Sequence, residues 1–308
     1  MFFSMKELSM KANVYDFLHI WLGLGLLTSQ GQLWQQRRKL ITPAFHFAML
    51  NNFKSSDAIN VFKMMHLIAL DNICETAMGI KIDALNNPKL DYIRWFLVDL
   101  NEQIFQYLDE VNTFMFEGHD TTAVALSYTL FLLGLHPEIQ EKCFEELDEM
   151  FRDSARKPTP DDLQNMKYLE RVIKETLRLC PSVPMICRQV PKDTNLGGYL
   201  VPQGSLVTLD VFHLHRDPKY FPEPEKFDPD RFTIENSQDR HPFAYVPFAA
   251  GTRNCIGQKF AMMEEKIVLS YILRNFRLES IEKFQDMEPA FELILRSEIN
   301  LNVKFIPR

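Results

Sequence analysis

Residues 109–135 form a long, largely apolar stretch with little polar surface, and this pattern predicts a helix buried on most sides. The next segment, PEIQEKCFEELDEMF, opens at Pro137 and mixes apolar and charged positions at helical spacing, which predicts an amphipathic surface helix. Thr159, Pro160, Asp161 and Asp162 then offer a helix cap, a first-turn proline and acids that favour the positive end of the helix dipole. Leu169, Val172, Ile173, Thr176 and Leu177 carry the helical stripe onward until Pro181 forbids its continuation. After Pro181 the rhythm changes. GYLVPQGSLVTLDVF alternates around Pro-Gln-Gly and predicts the hairpin of a small sheet. Residues 216–232, rich in proline and aspartate, read as an irregular meander, and FAMMEEKIVLSYILRNF returns to an apolar helical stripe. No internal repeat or linker divides the chain. The expected architecture is mainly α with a minor β region, one domain spanning residues 1–308.

Composition narrows the function. A chain of 308 residues, 46% hydrophobic and holding 25 Phe and 14 Met, can build a substantial core. A net charge of −7 argues against a nucleic-acid partner, which requires a basic face. Five cysteines (Cys74, Cys143, Cys180, Cys187 and Cys255), odd in number and without C-x-x-C pairing, argue against a disulfide framework or structural zinc. No apolar run approaches the roughly 20 residues that span a bilayer. The opening MFFSMKELSMKANVYDF does not read as a signal peptide, so no anchor is expected in this chain.

One cysteine is set apart by its neighbours. In FAAGTRNCIG, residues 248–257, Gly251 and Gly257 remove side-chain bulk where a flat object could approach the backbone. Cys255 lies just before a helix, whose unpaired N–H groups and dipole favour a thiolate, and Arg253 adds charge able to hold a carboxylate. Such a set suits a metal centre carrying carboxylates. The alternative for any lone cysteine is a buried residue in a capping loop. The whole pattern, however, resembles the haem-binding loop of cytochrome P-450 proteins at Phe248, Gly251, Arg253, Cys255 and Gly257. The likeness runs from about residue 15 to the C-terminus. It implies a cytochrome P-450-like fold, haem b as cofactor, Cys255 as the axial iron ligand and Phe248 shielding the sulfur.

Other segments agree with that resemblance. Glu175 and Arg178 in ETLR are close enough to pair on one helix face, and with Arg231 of FDPDRF they match the family's buried structural network. Trp34 and Arg38, four apart, and Arg188 match positions that hold the haem propionates. In TFMFEGHDTT, Glu117, Asp120 and Thr121 share a helix face, and Gly118 leaves a notch where a hydroxyl can bond a carbonyl and bend the helix. The segment resembles the family's oxygen-activating helix, which implies proton delivery by Asp120 and Thr121 and leaves His119 as a helix-face residue. Glu117 followed by GHDTT is similar to the family-four, fatty-acid omega-hydroxylase branch, where this glutamate can be ester-linked to the haem. TPAFHF, HRDP and NCIGQKFAM share that likeness, while Asn112 stands where the branch usually has aspartate.

The resemblance therefore implies a monooxygenase acting on a lipid or fatty-acid C–H bond at the endoplasmic reticulum membrane. Its electrons are expected from NADPH through a separate flavoprotein reductase, since no nucleotide-binding glycine motif is present. Two alternatives stay open: a thiolate-haem enzyme that rearranges peroxides, and a truncated, silent protein that binds haem or the reductase. The family's chains are much longer, with an N-terminal anchor and far more residues between the positions of Trp34 and Glu117. The expectation is a shortened chain that keeps most of the haem cradle and lacks the helices that roof the substrate pocket.

Overall fold

The computed structural model describes residues 58–78, 84, 102–152 and 154–308, with the side chains of 76–78 and 102–112 excepted. Trp34 and Arg38 lie outside the described residues. A short strand, β1 (Ala58–Asn60), leads into α1 (Val61–Met78), which packs along α2 (Glu102–Leu135). Helix α2 begins seven residues before the periodicity alone indicated. From residue 123 to 133 every side chain on it is buried. It carries polar residues there because its hydroxyls bond carbonyls one turn back, Ser127 to Ala123 at 2.6 Å and Thr129 to Ala125 at 2.7 Å.

Helices α3 (Pro137–Phe151), α4 (Pro160–Asn165) and α5 (Lys167–Leu179) follow the predicted pattern closely. The Thr159 hydroxyl accepts from the Asp162 amide at 3.2 Å while Asp162 accepts from the Thr159 amide at 2.7 Å, a reciprocal cap. The α5 stripe Leu169, Val172, Ile173, Thr176 and Leu177 is fully within the core. The expected hairpin is corrected. β4 (Tyr199–Val201) pairs with β3 (Thr194–Leu196) around Gly197 and Gly198, both in the left-handed region, whereas β5 (Leu206–Asp210) pairs with β2 (Met185–Gln189). Pro-Gln-Gly thus turns the chain between two separate ladders. The glycine pair, with φ of 62° and 95°, is the better tight turn.

After the meander, α6 (Gln258–Asn275) crosses the core, and β6 (Phe276–Ser280) joins β9 (Asn302–Pro307) and β1 in one antiparallel sheet. The short pair β7 (Pro289–Phe291) and β8 (Leu295–Ser297) brings Leu293, Ile294 and Arg296 back to α2. Gly134 permits α2 to meet β6, because a Cβ there would lie 2.3 Å from the Ser280 hydroxyl. No single helix among the described residues is long and apolar enough to cross a membrane.

Helix α6 contains two buried acids in sequence. Glu264 accepts from the Asn72 amide at 2.9 Å through Oε1, while its Oε2 has no partner. Burial pushes the Glu264 carboxyl up to about 8, with the Asn72 bond opposing. An acid whose folded pKa is raised stabilises fully below its unfolded value and loses that contribution as pH climbs through the folded one. Glu264→Gln keeps the Asn72 bond without the charge. Its urea midpoint is expected to match the parent at pH 4.5 and to exceed it near pH 8. Midpoints that stay together across that range would contradict a neutral Glu264.

Candidate functional site

The meander is fixed to α5 by a buried ion network. Glu175 and Arg178 are both inaccessible to solvent and pair at 2.7 Å. Arg231 approaches Glu175 at 3.4 Å, and the Asp228 amide donates to the same oxygen at 2.8 Å. These three side chains bind one another and backbone groups rather than a cavity, which marks them as structural.

Downstream, residues 248–257 make a tight loop closed by the Cys255 amide donating to the Phe248 carbonyl at 2.9 Å. Two residues on it are left-handed, Ala249 at φ 57° and Gly251 at φ 74°. Gly251 is therefore required by backbone geometry, a reason beyond the removal of bulk. Gly257 differs. A Cβ built on it would meet, among the described residues, the Cys255 sulfur at 3.9 Å, so this glycine borders the sulfur directly. Cys255 is exposed, whereas Cys74, Cys143 and Cys180 are buried. Burial pushes the Cys74 thiol up to about 11 and Cys180 up to about 12, which disfavours thiolate chemistry at those sites.

The loop borders a cavity of about 230 Å³ whose walls are mostly apolar, among them Ile73, Phe248, Phe260 and Ile294. Helix α2 contributes Glu117, Gly118, Thr121 and Thr122; the loop contributes Phe248, Arg253, Cys255 and Gly257; β2 contributes Arg188. One compartment therefore unites a thiol, two guanidinium groups, two carboxyls and three hydroxyls. Arg188 is 3% exposed, and its guanidinium donates to the Cys187 carbonyl at 2.8 Å. Thr121 donates to the Glu117 carbonyl at 2.7 Å, the bond expected of a hydroxyl at this notch. The notch itself is filled from outside, since a Cβ on Gly118 would lie 2.7 Å from Ile73. Gly118 thus allows α1 and α2 to touch.

Asp120 is not on the cavity wall. Its carboxylate accepts from Arg296 at 3.1 and 3.0 Å and lies 2.6 Å from the His66 ring. Burial raises its pKa, but His66 and Arg296 outweigh that and hold it below the ordinary carboxylate range. His119 bonds the Met115 carbonyl at 2.5 Å and stays off the wall, as a helix-face residue. Sequence reading did not single out Ser182, His66, Arg296 or Glu265. Ser182 donates to the Thr121 carbonyl at 2.8 Å, and Glu265 is a buried acid on the wall with an unpartnered Oε2. Burial, with Glu264 beside it, raises the Glu265 pKa well above normal.

Residues 106–305 match the Cytochrome P-450 family profile. The chain belongs to the cytochrome P-450 family. Cytochrome P-450 4c3 of Drosophila melanogaster is 38% identical over 407 residues, covering 97% of this chain and 76% of the relative. Cytochrome P-450 4V2 of Mus musculus and of Homo sapiens are each 40% identical over 397 residues, covering 96% of this chain and 76% of theirs. An alignment of 407 residues that uses 97% of a 308-residue chain leaves a substantial block of the relative with no counterpart here. The family makes this chain a haem-dependent monooxygenase oxidoreductase, mainly α in fold.

The pocket fits a haem on its own evidence. A sulfur is bordered by a glycine that no backbone angle requires, and two arginines share a mostly apolar cavity with it. Gly251→Ala forces a left-handed alanine and is expected to cost about 1–2 kcal/mol in urea unfolding. Gly257→Ala has no such strain and is expected instead to lower haem content per polypeptide in a haemochrome assay. Full haem occupancy in Gly257→Ala would show that the space beside sulfur is not needed.

Proposed function

We propose that this chain is an omega-hydroxylase-type monooxygenase of lipid or fatty-acid C–H bonds. Its haem is held by Cys255 and the surrounding arginines, and NADPH supplies electrons through a flavoprotein reductase. The observation that carries the reading is the shared cavity: Cys255 and Arg253 from one element, Arg188 from another, Glu117 and Thr121 from a third. The haem supplies the oxidising chemistry when bound. The likeness to family-four relatives supports the substrate class and an endoplasmic-reticulum location.

In this reading residues 1–308 act as one haem-thiolate domain. Cys255 is the metal ligand, set at the mouth of α6, whose first-turn N–H groups and dipole stabilise a thiolate. Gly251 shapes the loop and Gly257 clears the sulfur. Arg188 and Arg253, with Trp34 and Arg38, hold the propionates through charge-assisted bonds. Phe248 shields the sulfur. Glu117, which lines the cavity beside Gly118, is the carboxyl available for an ester to the cofactor. Thr121 presents its hydroxyl to the cavity, and Asp120 behind it is the acid that sets proton supply. The apolar walls limit water around the groups that line the cavity.

A second reading, a haem protein with little turnover, draws on the block of residues that the relatives have and this chain lacks. Positioning a chain end requires a roof over the cofactor, and positioning supplies much of the selectivity.

The reduced, CO-treated protein is expected to show the thiolate-haem band, which Cys255→Ala abolishes. With reductase and NADPH, a medium-chain fatty acid is expected to yield terminal alcohol. A thiolate band without NADPH consumption favours the silent reading, and an unchanged spectrum in Cys255→Ala defeats both. Acid-solvent extraction is expected to leave a fraction of the haem on the polypeptide, and Glu117→Ala to release it. Equal release from both proteins would remove the ester.

A further inference from the structure

His66 on α1 is locked at both ring nitrogens. Nδ1 lies 2.6 Å from the Phe62 carbonyl, and Nε2 lies 2.6 Å from Oδ1 of Asp120. A backbone carbonyl can only accept, so Nδ1 must carry a hydrogen. At Nε2 the ring then meets an oxygen that is itself an acceptor when ionised. A contact of this length between a bare nitrogen and a bare carboxylate is repulsive, so one proton must lie between them. Asp120 is only 4% exposed in its side chain, whereas His66 is 22% exposed. The pair thus joins a solvent-touching imidazole to the residue preceding Thr121, which lines the cavity.

We propose that His66 is a positioning and proton-storing residue for the monooxygenase reaction, holding with Asp120 one transferable proton behind the cavity wall. The transfer moves no electrons. The Nε2–H bond of His66 breaks, an O–H bond forms on Oδ1 of Asp120, and the ring becomes neutral while its Nδ1–H stays on Phe62. Asp120 then gives this proton up toward the cavity, and Nε2 takes a new one from solvent when the ring swings off the carboxylate. Arg296, 40% exposed, contacts both Asp120 oxygens and favours the carboxylate between deliveries.

The other charged and titratable groups around the pair are few among the described residues. From α2, His119 sits edge-on to the His66 ring at 6.0 Å, and burial lowers its pKa, so it adds no charge there. From β8, Arg296 is itself flanked by Glu292 at 3.5 Å. The proton between His66 and Asp120 is therefore held by the residue that precedes Thr121 in the chain.

The role rests on the monooxygenase reading, so the test has two arms. In the haem-loaded, reduced CO complex, NMR of histidine-labelled protein is expected to show a slowly exchanging, low-field Nε2–H resonance from His66. That resonance should vanish in Asp120→Ala. Its absence from the parent overturns the shared proton, whatever the turnover. In the second arm, His66→Gln keeps a donor toward Asp120 but cannot release a proton. It is expected to retain haem content while product formed per NADPH falls on the order of tenfold, below the ~10²–10⁴-fold of a directly acting acid. Solvent deuterium is expected to lower the parent's yield further and to leave the variant's unchanged. Parent-like yield and solvent isotope response in His66→Gln overturn the role. A parent that oxidises no NADPH at all fails the monooxygenase reading instead, and the resonance still decides the pair.

Discussion

Arg178 is buried completely, and every one of its donors is used. Its Nε and one terminal nitrogen bind the two oxygens of Glu175, at 2.7 and 2.9 Å. The remaining donors reach the carbonyls of His215, Pro224 and Lys226 at 3.1, 2.6 and 3.1 Å. A guanidinium has five N–H groups, so this site leaves none unmet. That is the condition under which an ion pair can be taken out of water without a large net cost, and it explains why lysine is no substitute. Because three of the acceptors lie between residues 215 and 226, the network fixes the meander against α5. The meander in turn delivers the chain to the cysteine loop. Position of the sulfur is thus inherited from an ion pair that never touches the cavity.

The loop stores some of what that anchoring provides. A left-handed alanine at position 249 is disfavoured by about 1–2 kcal/mol and persists only if its surroundings determine it. On one side are the Val246 and Phe248 carbonyls, which accept from Ala249 and Cys255 at 3.0 and 2.9 Å. On the other is α6, whose buried residues from Phe260 to Leu273 tie it to the core. The sulfur therefore stands on a short, strained arch between two rigid supports. This is how an exposed thiol can be held in one place while three of the other cysteines disappear into packing.

What the sequence disclosed follows from how far apart the interacting groups are. Helices α3 to α5 were legible because their apolar spacing and caps are local, and Thr159 with Asp162 closes a cap within four residues. The cysteine loop was legible because its five signal residues occupy ten consecutive positions. Pairing was not. The run 198–212 does contain two strands, but each finds its partner upstream, β4 with β3 and β5 with β2, and no alternation within the run can say so. Gly118 was read as a notch, and it both lines the cavity and makes room for Ile73, a second neighbour that an absent side chain does not reveal. His66 and Arg296 escaped notice altogether. They meet Asp120 from 54 and 176 positions away, and neither stands in a pattern that marks it.

The same separation divides what this shortened chain keeps from what it lacks. The sulfur arch, Arg188 and the wall of α2 belong to elements pinned by α5, α6 and the sheet of β1, β9 and β6, all present here. The polar cluster behind Thr121 is held by α1, α2 and β8, also present. A block missing relative to family-four proteins removes neither set. What depends on surfaces above the cavity is the orientation of a flexible substrate, and a poorly oriented C–H bond loses rate through entropy even when the oxidising centre is intact. The sulfur loop with its arginines and the polar cluster around Asp120 thus reside in different parts of the fold. A loss confined to surfaces above the cavity would leave the cofactor site intact while no C–H bond is held against it.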